Sequence, residues 1–248
     1  GWVNSRWQDF EQAWQCSDKP LMNVLKTKLR LALTCRSRWP AYAYHKEDVA
    51  LRSSNWNDHF NPDTGARVVM HDGTNIPFRT PTDATYQRSM YSEYYGEACA
   101  KTTVSNQLCS WIRGWELCTG RIGDSQMIKD TGIMEIQKEF AGMDPTSTVP
   151  FLNVFDKGFR NWMEAQSNGQ KVLQPIFAKG ERSFSRSEVL HTAAVAHVRS
   201  GNERAVGRCK MSWFIKNGTV NHTWDIDMLC DAWLAWTFQV NFMYDKYL

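Results

Sequence analysis

Three acids and one basic helix face are the residues whose types and spacing could do chemistry. Asp72 closes the run RVVMHD that begins at Arg67, and Asp156 closes VPFLNVFD, which begins at Val149. Glu203 lies in a late cluster, His191-x7-Arg199-x3-Glu203-x6-Lys210. Two carboxylates at strand ends and one on a helix can converge on a single point. Hard oxygen ligands in that number suit paired divalent cations, Mg²⁺ or Mn²⁺, about 3.5–4 Å apart, which is what a two-metal phosphodiester-cutting site needs. Arg199, Glu203 and Lys210 stand at i, i+4 and i+11 and so share one helix face. Basic residues around an acid suit a polyanionic substrate. A solvated ladder of ion pairs is the other reading of that spacing.

These groups need elements to hold them. Apolar residues recur at helical period from Leu21 to Leu33, and Pro40 ends that helix. Lys26, Lys28, Arg30, Arg36 and Arg38 fall on it or just after it, as a solvated face or as contacts to a DNA backbone. Asn61-Pro-Asp-Thr-Gly65 is a strong turn, so residues 1–65 read as an N-terminal helical segment and 66–248 as the core domain. In the core, Arg67–Asp72 reads as a buried strand and 80–100 as a polar, tyrosine-rich surface excursion. Thr102–Trp111 and Trp115–Ile122 read as strands joined at Arg113-Gly114. A helix is expected from Asp124 to about Phe140, with Asp124 as its N-cap. Val149–Phe155 reads as a strand, 160–166 as a short helix, Asn168-Gly169 as a turn and Lys171–Ile176 as a strand. Ser185-Arg-Ser-Glu188 is a capping box that opens a helix through His191; a helical stretch carrying Glu203 runs on to about Met211, with a kink at Gly201 as an option. A strand meander followed by alternating helix and strand describes an α/β sheet of mixed direction, in which function lies beyond the carboxyl ends of strands.

Composition sets bounds. At 248 residues with 42% apolar content and 12 Trp, the chain can bury a large core, and 22% well-mixed charge argues against disorder. A net charge of +3 permits a nucleic-acid partner without arguing for one. The seven cysteines have irregular spacing and form no C-x-x-C pair, which excludes a zinc ribbon and suits small core thiols in a reducing compartment. The sequons at Asn217 and Asn221 carry little weight. No apolar run approaches the roughly 18–20 residues that span a bilayer, and no signal-peptide pattern opens the chain. Trp233, Trp236 and Phe242 lie among dense apolar neighbours and read as core. Tyr91, Tyr94 and Tyr95 lie in the polar excursion, where a DNA-facing role is more credible.

The local motifs resemble those of one family. Arg199-Ser-Gly-Asn-Glu-Arg-Ala-Val-Gly-Arg-Cys-Lys210 resembles the R-x-x-x-E-R-x-x-G-x-x-K segment of PIF/Harbinger-like DDE transposases. Arg199-x3-Glu203-x6-Lys210 is similar to the Arg-Glu-Lys signature of insertion-sequence transposases. Asp72-Gly-Thr-Asn-Ile resembles the first-acid motif D-x-T-x-I, Gly120-Arg-Ile-Gly-Asp124-Ser the G-x-x-S-D-S segment, and Asp156-Lys-Gly-Phe the aspartate-x-Gly-aromatic motif. The resemblance implies a ribonuclease-H-like fold and a catalytic triad of Asp72, Asp156 and Glu203 binding two Mg²⁺ (or Mn²⁺) ions. One ion would activate water or a DNA 3′-hydroxyl, and the other would stabilise the leaving oxygen. Asp124 is either a helix cap or a further metal ligand in place of Asp156. Arg199 and Lys210, and more weakly Arg204, are the expected phosphate contacts. DNA is the implied partner, with a homo-oligomer or a separate DNA-binding chain beside it. The nucleus is the expected location in a eukaryote and the cytoplasm in a bacterium.

The chain departs from the pattern at Ala196, where insertion-sequence members carry tyrosine, and at Gly123, where serine or threonine often precedes the aspartate. Two rivals keep the fold: a domesticated DNA-binding or protein-interaction module that does not cut, and a nuclease that cuts without strand transfer. No complete helix-turn-helix is present, so recognition of specific DNA ends is expected upstream or on a partner.

Overall fold

The computed structural model describes residues 19–51, 67–160, 162–176, 183–212, 215 and 226–243. In chain order these form helices α1 (Lys19–Arg38) and α2 (His45–Leu51), strand β1 (Arg67–Pro77), helix α3 (Ala84–Met90) and strands β2 (Tyr91–Ser92), β3 (Glu97–Gln107), β4 (Ile112–Gly114) and β5 (Cys118–Thr119). Helices α4 (Asp124–Asp130) and α5 (Ile133–Met143), strand β6 (Phe151–Val154), helix α6 (Trp162–Ser167) and strand β7 (Lys171–Leu173) follow. Two long helices close the order, α7 (Arg186–Lys210) and α8 (Ile226–Met243).

One sheet runs β2-β3-β1-β6-β7, with β4 and β5 also paired to β3. β3 is antiparallel to β1, whereas β6 and β7 run parallel to it. This is the mixed α/β sheet flanked by helices that a ribonuclease-H-like plan requires. β1 is central, which explains why its sequence reads as a continuous apolar run instead of an alternation. Its residues go to opposite faces in turn. Val68 and Met70 pack with Val195 and Val198 of α7, while Val69 packs with Ile128, Ile133 and Met134 of α4 and α5. A third cluster joins Ala100 and Val104 of β3 to Cys209 of α7 and the fully buried Trp233 of α8. Trp236 is half-buried there, but Phe242 is exposed and packs edge-on to Trp39 and Trp111.

The segment before β1 belongs to the same core. Leu29 and Leu33 of α1 join the α8 cluster, and Tyr42 is buried against Phe151 at 5.0 Å. Arg36 points inward, donating to the Gly114 carbonyl at 3.3 Å, so it is not a solvated cation. The root of β1 is an ion pair with no exposed side-chain area, Arg67 to Asp144 at 2.8 Å.

Several expected boundaries move. β1 runs on to Pro77, so Asp72 lies inside the strand and not at its end. The excursion at 80–100 contains α3 and the β2–β3 hairpin. Arg113-Gly114 is part of β4; the reversal comes earlier, where Ser110 adopts φ 63° and donates to Gln107. The helix from Asp124 is broken at Gly132, whose φ is 63°, and continues as α5. Gly201 lies buried within the continuous α7, which opens with the expected capping box at Ser185 and Glu188. The turn at 61–65 and both sequons lie outside the described residues.

Candidate active site at the carboxyl ends of β1 and β6

The parallel pairing of β1 with β6 ends at Met70↔Val154. Asp72 and Asp156 each lie two residues beyond that pair, so the two acids stand at the same level, Asp72 within β1 and Asp156 just past the end of β6. Asp72 follows Met70 by one full pleat and therefore projects toward α7. That helix brings Arg199 and Glu203. The Arg199 guanidinium meets Asp156 Oδ1 at 3.0 Å. Asp156 Oδ1 also accepts the backbone N–H of Lys157 at 2.6 Å, which leaves Oδ2 as the oxygen it can offer. Asp72 is half-buried, and burial pushes its carboxyl up to about 6; Arg199 opposes this, while Asp156 and Glu203 push the same way. Arg199, Asp156 and Glu203 thus all act on the Asp72 carboxyl.

Asp124 takes a different place. The N-cap of α4 is Gly123, not Asp124, and Asp124 is the helix's first residue. Its carboxylate lies against the opposite side of β1 from Asp72: a Cβ added at Gly73 would sit 3.6 Å from Asp124 Oδ1, and one added at Gly158 would sit 3.1 Å from Oδ2. It pairs with Lys101 of β3 at 3.4 Å. Asp124 is therefore wedged between the backbones that follow the other two acids, with its own resident cation. Lys210, at the end of α7, donates to Asn75 Oδ1 on β1 at 3.1 Å and lies in the field of Asp72. Arg204 is exposed and, one step beyond Glu203, turned about 100° around the helix. His191 Nε2 donates to the Gln174 carbonyl, 3.2 Å away, as a packing residue would.

Behind the acids lies a buried polar chain. His71, next to Asp72, has Nδ1 2.8 Å from Ser105 Oγ and Nε2 2.7 Å from Asn153 Oδ1. Asn153 Oδ1 also accepts from Gln137, and Trp115 Nε1 donates to Ser105 Oγ. An amide oxygen only accepts, so His71 must carry its proton on Nε2 and accept from Ser105 at Nδ1. Asn153 Nδ2 donates onward to Gln170, and Gln170 donates to the Met134 carbonyl. Burial holds the His71 imidazole down at about 4, with the Asn153 hydrogen bond opposing, so the ring stays neutral. The chain ties β3, β1, β6 and α5 together and so fixes where Asp72 stands relative to β6.

Sequence reasoning missed Lys101 and this polar chain. The signal for Lys101 was a lone lysine inside an otherwise apolar and hydroxylic strand, because such a cation is buried only against a partner.

The donor set fits a hard divalent cation in kind, being three carboxylates with no thiol or imidazole. As the side chains stand, no group of three or more His, Cys, Asp or Glu among the described residues is close enough to share an ion. All six described cysteines are free. Among the described residues, no helix is long and apolar enough to cross a membrane.

No curated protein and no solved structure matches the chain. The model of one family, the DDE superfamily endonucleases, matches residues 71–241, which is more than half of the chain and runs from the residue before Asp72 past Lys210. The order of strands, the level of the two aspartates and the Arg199–Asp156 pair agree with that match, and the chain belongs to the DDE superfamily endonucleases.

Proposed function

We propose that the chain is the catalytic domain of a PIF/Harbinger-like DDE transposase, which cleaves DNA at element ends and joins the freed 3′-hydroxyl to target DNA. The observation that supports this reading is the 3.0 Å pair of Arg199 with Asp156, beside an Asp72 that lies in the field of Arg199, Asp156 and Glu203. Asp72, Asp156 and Glu203 would hold two Mg²⁺ or Mn²⁺ ions. Those ions supply, when bound, a lowered pKa for the attacking water or hydroxyl and a positive charge for the leaving oxygen.

The remaining work falls to the chain itself. Asp72 must be ionised to serve, so the site is fully charged only above about pH 6. Arg199 holds Asp156 in place and, being a forked donor, can also bind a phosphate oxygen. Lys210 places a second cation beside β1. Asp124, held by Lys101, packs against Gly73 of β1, next to Asp72, and against Gly158 in the turn that follows Asp156.

A plasmid-nicking assay with Mg²⁺ or Mn²⁺ tests this. The wild-type chain should nick, and Glu203→Gln should not, while keeping the same melting temperature. Ca²⁺ should support DNA binding without nicking. Equal nicking by both would assign the activity elsewhere. Equal inactivity, with recognition of the DNA ends supplied by a partner domain, would favour the domesticated, non-cutting rival.

A further inference from the structure

The β2–β3 hairpin stands beside the acids and carries three tyrosines. Tyr91, Tyr94 and Tyr95 are 45%, 85% and 37% exposed, so Tyr94 is almost wholly in solvent. The tip that presents them is held in shape. Gly96 N–H donates to the Ser92 carbonyl at 2.8 Å, and Gly96 takes the left-handed φ of 69° that a side chain would resist. The Tyr94 and Tyr95 rings meet edge to face with centroids 4.9 Å apart. The Lys101 ammonium lies 5.8 Å from the Tyr95 ring centroid and is the same group that pairs with Asp124. The Tyr95 hydroxyl lies in the field of both Asp124 and Asp72, which places the hairpin at the border of the acidic site.

An open groove of about 460 Å³ is lined by Tyr91 itself, by Gln87 and Arg88 of α3, by Arg121 and by Glu93. Both arginines are exposed. With 85% of its surface in solvent, Tyr94 keeps ring area open to stacking beyond its edge contact with Tyr95. Single-stranded nucleic acid is held by this combination: a basic groove that tracks the backbone and an aromatic face on which a base stacks.

We propose that the groove and the hairpin tip form a subsite for unpaired nucleotides flanking the scissile phosphate, with Arg88 and Arg121 on the phosphates and a base stacked on Tyr94. The subsite rests on the DNA-cutting reading above and adds what that reading leaves open, the strand state of the DNA next to the cut.

The test compares two fluorescent duplexes of one sequence, one with flush ends and one with a short 3′ overhang carrying 2-aminopurine, without divalent metal. Wild type should bind the overhang duplex roughly five- to a hundredfold more tightly, the range a base–aromatic stack contributes, and should quench the 2-aminopurine. Tyr94→Ala should lose the preference and the quenching while binding the flush duplex as before. Tyr94→Phe should keep both, since stacking needs no hydroxyl. The Arg88→Ala/Arg121→Ala variant should lower the salt dependence of overhang binding by about two phosphate contacts. Equal affinity of wild type for the two duplexes, or a preference that survives Tyr94→Ala, overturns the subsite. Failure of wild type to bind either duplex at low salt overturns the DNA reading itself and the subsite with it.

Discussion

The guanidinium of Arg199 reaches the carboxylate of Asp156 across 3.0 Å, joining α7 to the loop after β6. Arg199 stands one helical turn before Glu203, and both lie in the field of Asp72. The cation also lowers the charge cost at Asp72. Arg199→Ala should therefore move the Asp72 titration midpoint upward from about 6, readable by carboxyl-carbon NMR. It should also weaken DNA binding equally across sequences and reduce the salt slope by about one phosphate contact. An unchanged Asp72 midpoint would mean that Arg199 serves Asp156 alone.

Asp72 carries a stability prediction with a definite sign. Its carboxyl is raised from 3.8 to about 6, mainly by burial, so the folded protein disfavours the charge. A group raised on folding contributes stability that is fully present below its unfolded pKa and lost as pH rises through its folded value. The window is thus from about pH 4 to pH 6. Asp72→Asn should raise the stability of the metal-free protein at pH 7.5 by on the order of 1–3 kcal/mol, with no gain at pH 4. Denaturant midpoints at the two pH values measure it. A constant difference between them would show that burial does not control this carboxyl.

Much of this was legible in the sequence where one element decides the outcome alone. The capping box at Ser185 and Glu188 fixed the start of α7, and helical spacing then put Arg199 and Glu203 on one face. The run from Arg67 announced a strand buried on both sides. What was not legible depends on pairing between distant segments. The Thr74–Pro77 stretch carries no strong strand signal of its own and is extended because β3 pairs with it as far as Cys99. Asp124 looked like an N-cap because an acid at a helix start usually is one; only the fold reveals Lys101 beside it. Trp115 read as the start of a strand, but its indole is committed to Ser105 in the buried polar chain.

That chain gives a third prediction. His71 accepts from Ser105 and donates to Asn153, and both partners are buried with it. His71→Phe keeps the ring that stacks on Phe155 at 4.9 Å but takes away the acceptor of the Ser105 hydroxyl and leaves Asn153 Oδ1 with Gln137 as donor. The cost should be about 1–3 kcal/mol for the buried hydroxyl proton left unpaired, seen as a lower urea midpoint. There is also a pH signature, opposite in sign to that of Asp72. The imidazole is depressed from 6.5 to about 4, so its contribution is present above pH 6.5 and lost as pH falls toward 4. His71→Phe should remove that part of the acid-side decline. If the decline is identical in the variant, His71 is not the group responsible.

The Gly120-Arg-Ile-Gly123 stretch before Asp124 contains two glycines with opposite roles, and the contrast is a test of the local packing. A Cβ on Gly120 would collide with the backbone carbonyl of Met90 at the end of α3 and approach that of Cys99 on β3 to 2.5 Å. Backbone carbonyls in two separate elements cannot both give way, so α3 or the β3–β5 pairing would have to shift. Gly120→Ala should therefore destabilise the protein by about 3 kcal/mol or more, at the upper end for overpacking. Gly123 has no atom within 4 Å of an added Cβ and an extended backbone, φ −80° and ψ 152°, that any residue adopts. It caps α4 without a side-chain hydrogen bond. Gly123→Ser supplies the missing oxygen and should stabilise by a few tenths of a kcal/mol, the usual difference between serine and glycine at a cap. Melting temperatures of the two variants against wild type decide the matter. Gly120→Ala tolerated without loss would mean that α3 does not pack on this turn, and Gly123→Ser destabilising would mean that the helix does not begin at Asp124.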